Sequence, residues 1–373
     1  MVVFGTRPEA IKLVPVILKL RSLPESDVCV CVTAQQREML DQVLQFFAVR
    51  PEIDLNLMQP NQNLAAFTGR TIPLLEEVMA KVAPDMCLVQ GDTSTTFCAA
   101  LAAFYRQIPV AHVEAGLRTG NLYSPFPEEA NRIMTSGLSA LHFAPTQRAS
   151  ENLLREGFPP ERIFITGNTG IDALLMAVKS TDETYLQRAL GVMAADERRL
   201  VLITAHRRES FGEAFASLCQ AIADLAVNRP DVLFVYPAHL NPNVQDPVNQ
   251  ILRPLAEQID NLRIIEPLPY PEFVALMNRS YLILTDSGGI QEEAPGLGKP
   301  VLVMRETTER QEAIEAGTAR LVGTSRAKII GETLRLLDDY EFYQSMAQAK
   351  NPFGDGNAAE RIAGQCHNFL ITM

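Results

Sequence analysis

The chain has no tryptophan among its 373 residues. An aromatic contact to a nucleobase must therefore come from Phe or Tyr. No apolar run reaches the ~20 residues that a spanning helix needs, and the first residues lack the basic start and long apolar stretch of a secretory leader. These absences exclude a membrane partner and predict a cytoplasmic protein. Positive charge is also short. With 33 Lys and Arg against 44 Asp and Glu, the formal net charge is −11. That excludes a nucleic-acid backbone as partner, although local cation clusters can still hold a small anion. The six cysteines form no C-x-x-C pair, so they read as reduced, mostly buried thiols rather than a disulfide framework. No His, Cys or Asp cluster has metal-ligand spacing, and no repeat or low-complexity tract interrupts the chain.

What is present is apolar patterning. Hydrophobic residues make up 47% of the chain, and its length predicts two domains of ordinary size. Short apolar runs alternate with helical patterns from end to end, the signature of parallel sheets with crossover helices. Strands are expected at residues 2–4, 28–33, 86–90, 109–114, 141–144 and 163–166. In the second half they are expected at 200–205, 232–237, 262–265, 281–285, 300–304 and 319–322. Helices are expected at 10–21, 38–47, 64–82 and 94–106, with a last one near the C-terminus. The fold class is α/β with two Rossmann-like domains, 1–168 and 169–354. The terminal segment 355–373 is expected to pack back on the first domain. Open parallel sheets bind ligands at the carboxyl ends of their strands, so polar residues at strand ends are where chemistry is sought.

Two strand-turn-helix junctions stand out. The first runs Phe4-Gly5-Thr6-Arg7-Pro8-Glu9 and continues to Lys12. The second runs Thr285-Asp286-Ser287-Gly288-Gly289-Ile290-Gln291-Glu292-Glu293. Backbone N–H groups at such helix starts attract phosphate. Arg7 and Lys12 are either solvated cations or anion ligands at the first turn. Asp92, after the third strand, is either a helix cap or a carboxylate released for chemistry by Thr93 or Ser94. Glu114 ends the fourth strand, where a buried acid is costly without a partner or a task. Glu128 and Glu129 follow Pro127 at a helix start, and dipole preference alone accounts for one of them. Together with Asp92 and Glu114 they make a carboxylate cluster able to divide acid and base roles. In the second half, His206-Arg207-Arg208 follows a strand as either a solvated turn or a pyrophosphate site. His239 ends the next strand. Phe273 is a candidate base contact, and Arg310 stands in a later loop. His142 reads as a satisfied core histidine.

Taken together, residues 4–12, 33–42, 90–96, 112–132, 167–174, 206–212, 239–244, 286–295 and 307–312 resemble the non-hydrolysing UDP-N-acetylglucosamine 2-epimerases of bacteria, in the enterobacterial type. The resemblance runs nearly end to end. It implies a GT-B-like pair of domains whose sheets face a central cleft. It implies interconversion of UDP-GlcNAc and UDP-ManNAc by elimination of UDP to 2-acetamidoglucal and re-addition, feeding surface-polysaccharide synthesis. It also implies a homodimer, no cofactor and no metal. By position it marks Asp92, Glu114, Glu128 and His206 as catalytic. Arg7, Lys12, Phe273, Ser287, Gly288, Gly289, Glu293 and Arg310 become the UDP contacts. Gln35, Glu38, Arg70, Arg207 and His239 fall where many bacterial members bind a second UDP-GlcNAc as activator. The chain departs from the family pattern at Gln36, where His is usual, and more mildly at Ala205 and Phe126. The alternative reading is a UDP-sugar glycosyltransferase of the same fold.

Overall fold

The computed structural model describes residues 1–34, 37–57 and 62–372, the side chains of 37 and 38 excepted. Gln35 and Gln36, and the Glu38 side chain, lie outside the described residues. The chain forms two units. One is Met1–Ala173 with Gly354–Met373, and the other is Leu174–Phe353.

The first unit holds a seven-stranded sheet. Its strands are β1 (Val2–Phe4), β2 (Val30–Val32), β3 (Ile53–Asp54), β4 (Cys87–Gln90), β5 (Val110–Val113), β6 (Leu141–Ala144) and β7 (Ile163–Ile165), in the order β3-β2-β1-β4-β5-β6-β7. All pairings are parallel. The inner strands are buried along their whole length, as a sheet covered on both faces requires. The second unit repeats the plan with β8 (Arg199–Thr204), β9 (Val232–Pro237), β10 (Leu262–Ile265), β11 (Leu282–Thr285), β12 (Val301–Val303) and β13 (Ala319–Leu321), in the order β10-β9-β8-β11-β12-β13. Each order is that of a doubly wound sheet. Strand order reverses between β1 and β4 in one unit and between β8 and β11 in the other, and these are the switch points at which such sheets bind ligands.

The expected strands form, mostly trimmed by a residue or two. β3 was not expected; two residues at a sheet edge carry no alternation to read. The first helix also begins earlier than expected, at Arg7 rather than Ala10. Thr6 caps it in extended conformation, and Glu9 reaches back to accept from the Thr6 N–H at 2.8 Å and the Gly5 N–H at 3.1 Å. Gly5 is obligatory for another reason. A Cβ there would stand 2.2 Å from Thr33 Oγ1 and 2.6 Å from Thr95 Oγ1.

The last helix, Ala358–Ile371, starts three residues after 355 because Asp355 and Asn357 form a turn first. It packs on the Arg7–Arg21 helix, burying Ile362, Ala363 and Cys366. Its first N–H groups are satisfied from a distance: Asp172 accepts from Ala359 N–H at 2.8 Å and Ala358 N–H at 3.3 Å. His142 is fully buried, yet neither ring nitrogen has a hydrogen-bond partner among the described residues; it packs against Phe158 at 4.6 Å between ring centroids. It is a core histidine but not a satisfied one: its register partner on β5, His112, directs its Nε2 to the Gly91 carbonyl instead. No helix among the described residues is long and apolar enough to cross a membrane.

Candidate active site

In the first unit, the candidate residues gather at the switch point between β1 and β4. Arg7 opens the helix after β1 and is half-buried. Lys12, just over one turn further, pairs through Nζ with Glu114 Oε2. The Gln90 amide, at the end of β4, donates to the same oxygen at 2.7 Å. Glu114 follows β5 with φ +65°, a left-handed conformation that costs a non-glycine residue about 1 kcal/mol or more. The strain is held by this double grip on its carboxylate.

Asp92 follows Gly91. Thr93 caps the Ser94–Tyr105 helix, accepting from Thr96 N–H at 3.1 Å, so the Asp92 carboxylate is not used as a cap. It is instead held by Arg132, with Nε at 2.9 Å and Nη2 at 2.7 Å from Oδ2. The Asn131 amide donates to the Asp92 carbonyl at 2.9 Å. His112 steadies the preceding residue: its ring Nε2 lies 2.7 Å from the Gly91 carbonyl, which places a proton on that nitrogen. Burial holds His112 far below an ordinary imidazole, at about 4.

The two adjacent acids separate cleanly. Glu129 is fully buried and occupied. Its Oε1 accepts the Thr119 and Gly120 N–H groups, each at 2.9 Å, and its Oε2 meets Arg132 at 3.2 Å. Glu128 is half-buried, with an Oε2 that has no hydrogen-bond partner among the described residues. Glu129 shapes the loop, whereas Glu128 keeps this unmatched oxygen.

The first helix start needs a correction. Its Gly5 and Thr6 N–H groups point to the Glu9 carboxylate, not outward. Glu9 is buried, and desolvation raises its pKa above the ordinary carboxylate value, with hydrogen bonds from Thr6, Thr93, Gly5 and Thr6 N–H opposing that rise. An anion at this turn is therefore left to the cationic side chains rather than the backbone.

In the second unit, the loops after β8 and β11 meet at its switch point. Tyr236, fully buried on β9, donates its hydroxyl to the Ala205 carbonyl at 2.6 Å. Asp286, fully buried after β11, accepts the His206 and Arg207 N–H groups at 2.6 and 2.7 Å through Oδ2. The His206 ring stacks on His239, 5.3 Å between centroids. Arg207 and His239 are exposed. Ser287 opens the Gly288–Glu293 helix. Arg310 lies directly over Gly288, so that a Cβ there would come within 2.9 Å of the guanidinium carbon. Arg310 Nε donates to Glu292 at 2.7 Å, while Glu309 is clamped by Arg305 at 3.0 and 3.1 Å. Those bonds hold the Glu309 carboxyl down at about 2. As in the first unit, one of two neighbouring acids is committed: Glu292 is buried against Arg310, whereas Glu293 is half-buried at the helix end. Phe273 lies half-buried on the Tyr270–Arg279 helix, and Gly289 is exposed. Arg70, in the first unit, donates to Gln62 at 2.6 Å.

Three residues with clear roles in this geometry escaped sequence reasoning: Gln90, Arg132 and Asp286. Gln90 and Asp286 end buried strands, the same cue that marked Glu114. Arg132 lies three and four residues beyond the two acids, on their helix face. Among the described residues, no group of three His, Cys, Asp or Glu side chains is placed to hold a metal ion.

Two doubly wound sheets, each with charged loops at its switch point, define an α/β protein of two Rossmann-like domains of the GT-B-like type. The comparisons narrow this. The sequence model of the UDP-N-acetylglucosamine 2-epimerase family matches residues 18–366. The UDP-N-acetylglucosamine 2-epimerase of Escherichia coli K12 is 54% identical over 100% of this chain and 99% of its own length. That of Salmonella typhimurium is 53% identical over the same shares. The crystal structure of the Neisseria meningitidis UDP-GlcNAc 2-epimerase bound to UDP-GlcNAc superposes with a TM-score of 0.87 at 50% identity, covering 98% of this chain and 99% of that one. The chain belongs to the UDP-N-acetylglucosamine 2-epimerase family.

Proposed function

We propose that this chain interconverts UDP-GlcNAc and UDP-ManNAc by eliminating UDP to leave 2-acetamidoglucal, then adding UDP back to C1 while a proton returns to C2 on the opposite face of the sugar. The reading is supported by family membership and by one observation above all: three carboxylates at strand and helix ends of the first unit, Asp92, Glu114 and Glu128, each sit in a different electrostatic setting. Asp92 is held by Arg132, Glu114 by Lys12 and Gln90, and Glu128 keeps an oxygen without a partner among the described residues.

The chemistry explains the need. The C2 proton is not beside a ketone, so a base alone cannot remove it readily. Departure of UDP builds positive charge at C1 and acidifies C2–H. Asp92, Glu114 and Glu128 share removal of that proton, its return, and stabilisation of the cationic sugar. Cations stabilise the growing charge on the leaving diphosphate. Arg7, Lys12, His206 and Arg310 take that part, and Lys12 can serve both Glu114 and a phosphate because an ammonium has three donors. Ser287, Gly288 and Gly289 cradle the diphosphate, Glu293 accepts the ribose hydroxyls, and Phe273 contacts the uracil. The resemblance gives Gln35, Glu38 and Arg70 in the first unit, and Arg207 and His239 in the second, as the positions for a second UDP-GlcNAc. We propose a cytoplasmic homodimer whose product enters surface-polysaccharide synthesis.

Incubation with UDP-GlcNAc in heavy water, read by NMR, tests the proposal. Deuterium at C2 of both epimers is expected. Asp92→Asn, Glu114→Gln and Glu128→Gln should each slow exchange by about 10²–10⁴-fold. Epimerised product without deuterium, or wild-type exchange in all three variants, overturns it. Sugar transfer to an acceptor would instead indicate a glycosyltransferase.

A further inference from the structure

Asp286 has no part in the reading above, yet its placement is specific. It is fully buried at the end of β11, and its own main chain leads directly into Ser287 and Gly288. Its Oδ2 accepts two consecutive N–H groups from the other switch-point loop, those of His206 at 2.6 Å and Arg207 at 2.7 Å. Such charge-assisted bonds are the strong ones in a protein. The second oxygen, Oδ1, is buried without a hydrogen-bond partner among the described residues and faces His206 Nδ1 at 3.8 Å. A buried carboxylate oxygen left unmatched is costly. A group able to match it is the imidazole of the residue whose main chain Asp286 already holds. At 3.8 Å the contact is too long for a hydrogen bond, but a small rotation of the ring closes it, and such contacts commonly tighten once a ligand is bound.

We propose that Asp286 is a positioning residue for His206: it anchors the main chain there and turns the imidazole so that Nδ1–H faces the carboxylate, leaving Nε2 for the nucleotide diphosphate. This rests on the function proposed above and deepens it. The rest of the setting is consistent. His239 stacks on the ring, with its own Nδ1 accepting the Asn241 N–H at 3.1 Å. Arg207 adjoins it in sequence, and Tyr236 braces Ala205 just before it. Burial, His239 and Arg207 all disfavour a charged imidazole, and Asp286 is the group that favours one. Asp286 therefore lets His206 carry a proton when UDP leaves, although the site is otherwise hostile to that charge.

The test uses the full chain with ¹⁵N-labelled histidine, His206 being assigned by comparison with His206→Gln. Two-bond ¹H–¹⁵N spectra of the wild type should show neutral His206 with its proton on Nδ1. In Asp286→Asn the titration midpoint of His206 should fall. An opposite charge within ~4–6 Å moves a midpoint by about one to three units, and the partial exposure of this ring selects the lower end. Turnover with UDP-GlcNAc should drop at least about ten-fold, with KM changed less than about three-fold. An unchanged midpoint, or a wild-type proton on Nε2, overturns the assignment. If Asp286→Asn does not fold, the wild-type tautomer decides alone. Absence of epimerisation by the wild type would instead sink the proposed function and leave the spectroscopic result standing.

Discussion

His142 and His112 make the first unit acid-sensitive in a way that can be worked out. The two are register partners on β6 and β5, both fully buried. Burial lowers His112 to about 4 and His142 to about 3, and His142 is lowered further by the neighbouring His112 and by Arg118 and Arg162. In the unfolded chain both titrate near 6.5. Below pH 6.5 the unfolded state therefore binds protons that the folded state refuses. The stabilising contribution is complete above pH 6.5 and is lost as pH falls toward 4 and 3. At pH 5 the gap is about 1.5 units for each, which at 1.36 kcal/mol per unit is about 2 kcal/mol per histidine and about 4 kcal/mol together. That is a large share of a domain's usual ~5–15 kcal/mol. His142→Phe removes one of the two. It also removes two unpartnered ring nitrogens and keeps the contact with Phe158. The variant should match or exceed the wild type at pH 7.5 and lose about 2 kcal/mol less on going to pH 5. Hydrogen exchange in the peptides of β5 and β6, corrected for intrinsic rates, measures this locally, which matters because two units need not unfold together. Glu9 and Asp172, raised by burial, act with the opposite sign, but they cancel in the comparison of variant with wild type. An identical acid loss in the two proteins refutes the argument.

Two further outcomes follow from the site. Glu129→Gln leaves Arg132 without its buried carboxylate and weakens the grip on the Thr119 and Gly120 N–H groups. It should cost about 1–3 kcal/mol by urea denaturation and slow turnover through Asp92, and unchanged stability would contradict the structural role assigned to it. Gly288→Ala pushes a methyl group into the Arg310 guanidinium. Because the end of a long side chain can move, stability should change by less than about 1 kcal/mol, while UDP affinity by calorimetry should weaken about ten-fold. Wild-type affinity would remove Arg310 and Gly288 from the nucleotide contacts.

The sheets were legible because their strands are buried on both faces, so each reads as an unbroken apolar run bounded by turns. β3 was not, since two edge residues carry no such signal. Residue type and strand end were enough to pick out Asp92, Glu114 and the Ser287 turn. They were not enough to choose between Glu128 and Glu129, or between Glu292 and Glu293. Neighbours on a helix differ by a rotation of about 100°, and only tertiary contacts decide which one meets an arginine or a loop backbone. Glu9 shows the same limit. Its sequence position suggests dipole complementation, whereas its carboxylate takes the very N–H groups that a phosphate would have used. Asp286 was hidden by its neighbours, because the small residues after it drew the reading toward the turn.

The chain leaves its first unit within the Thr169–Ser180 helix and re-enters it at Gly354, where Asp172 waits for the final helix. The second unit is thus an insertion, and both ends of the polypeptide belong to the first. During synthesis the inserted unit can finish folding while its host still lacks the Ala358–Ile371 helix that packs on Arg7–Arg21. A premature stop codon before that helix would spare every loop of the second unit and still strip the Arg7–Arg21 helix of its packing partner.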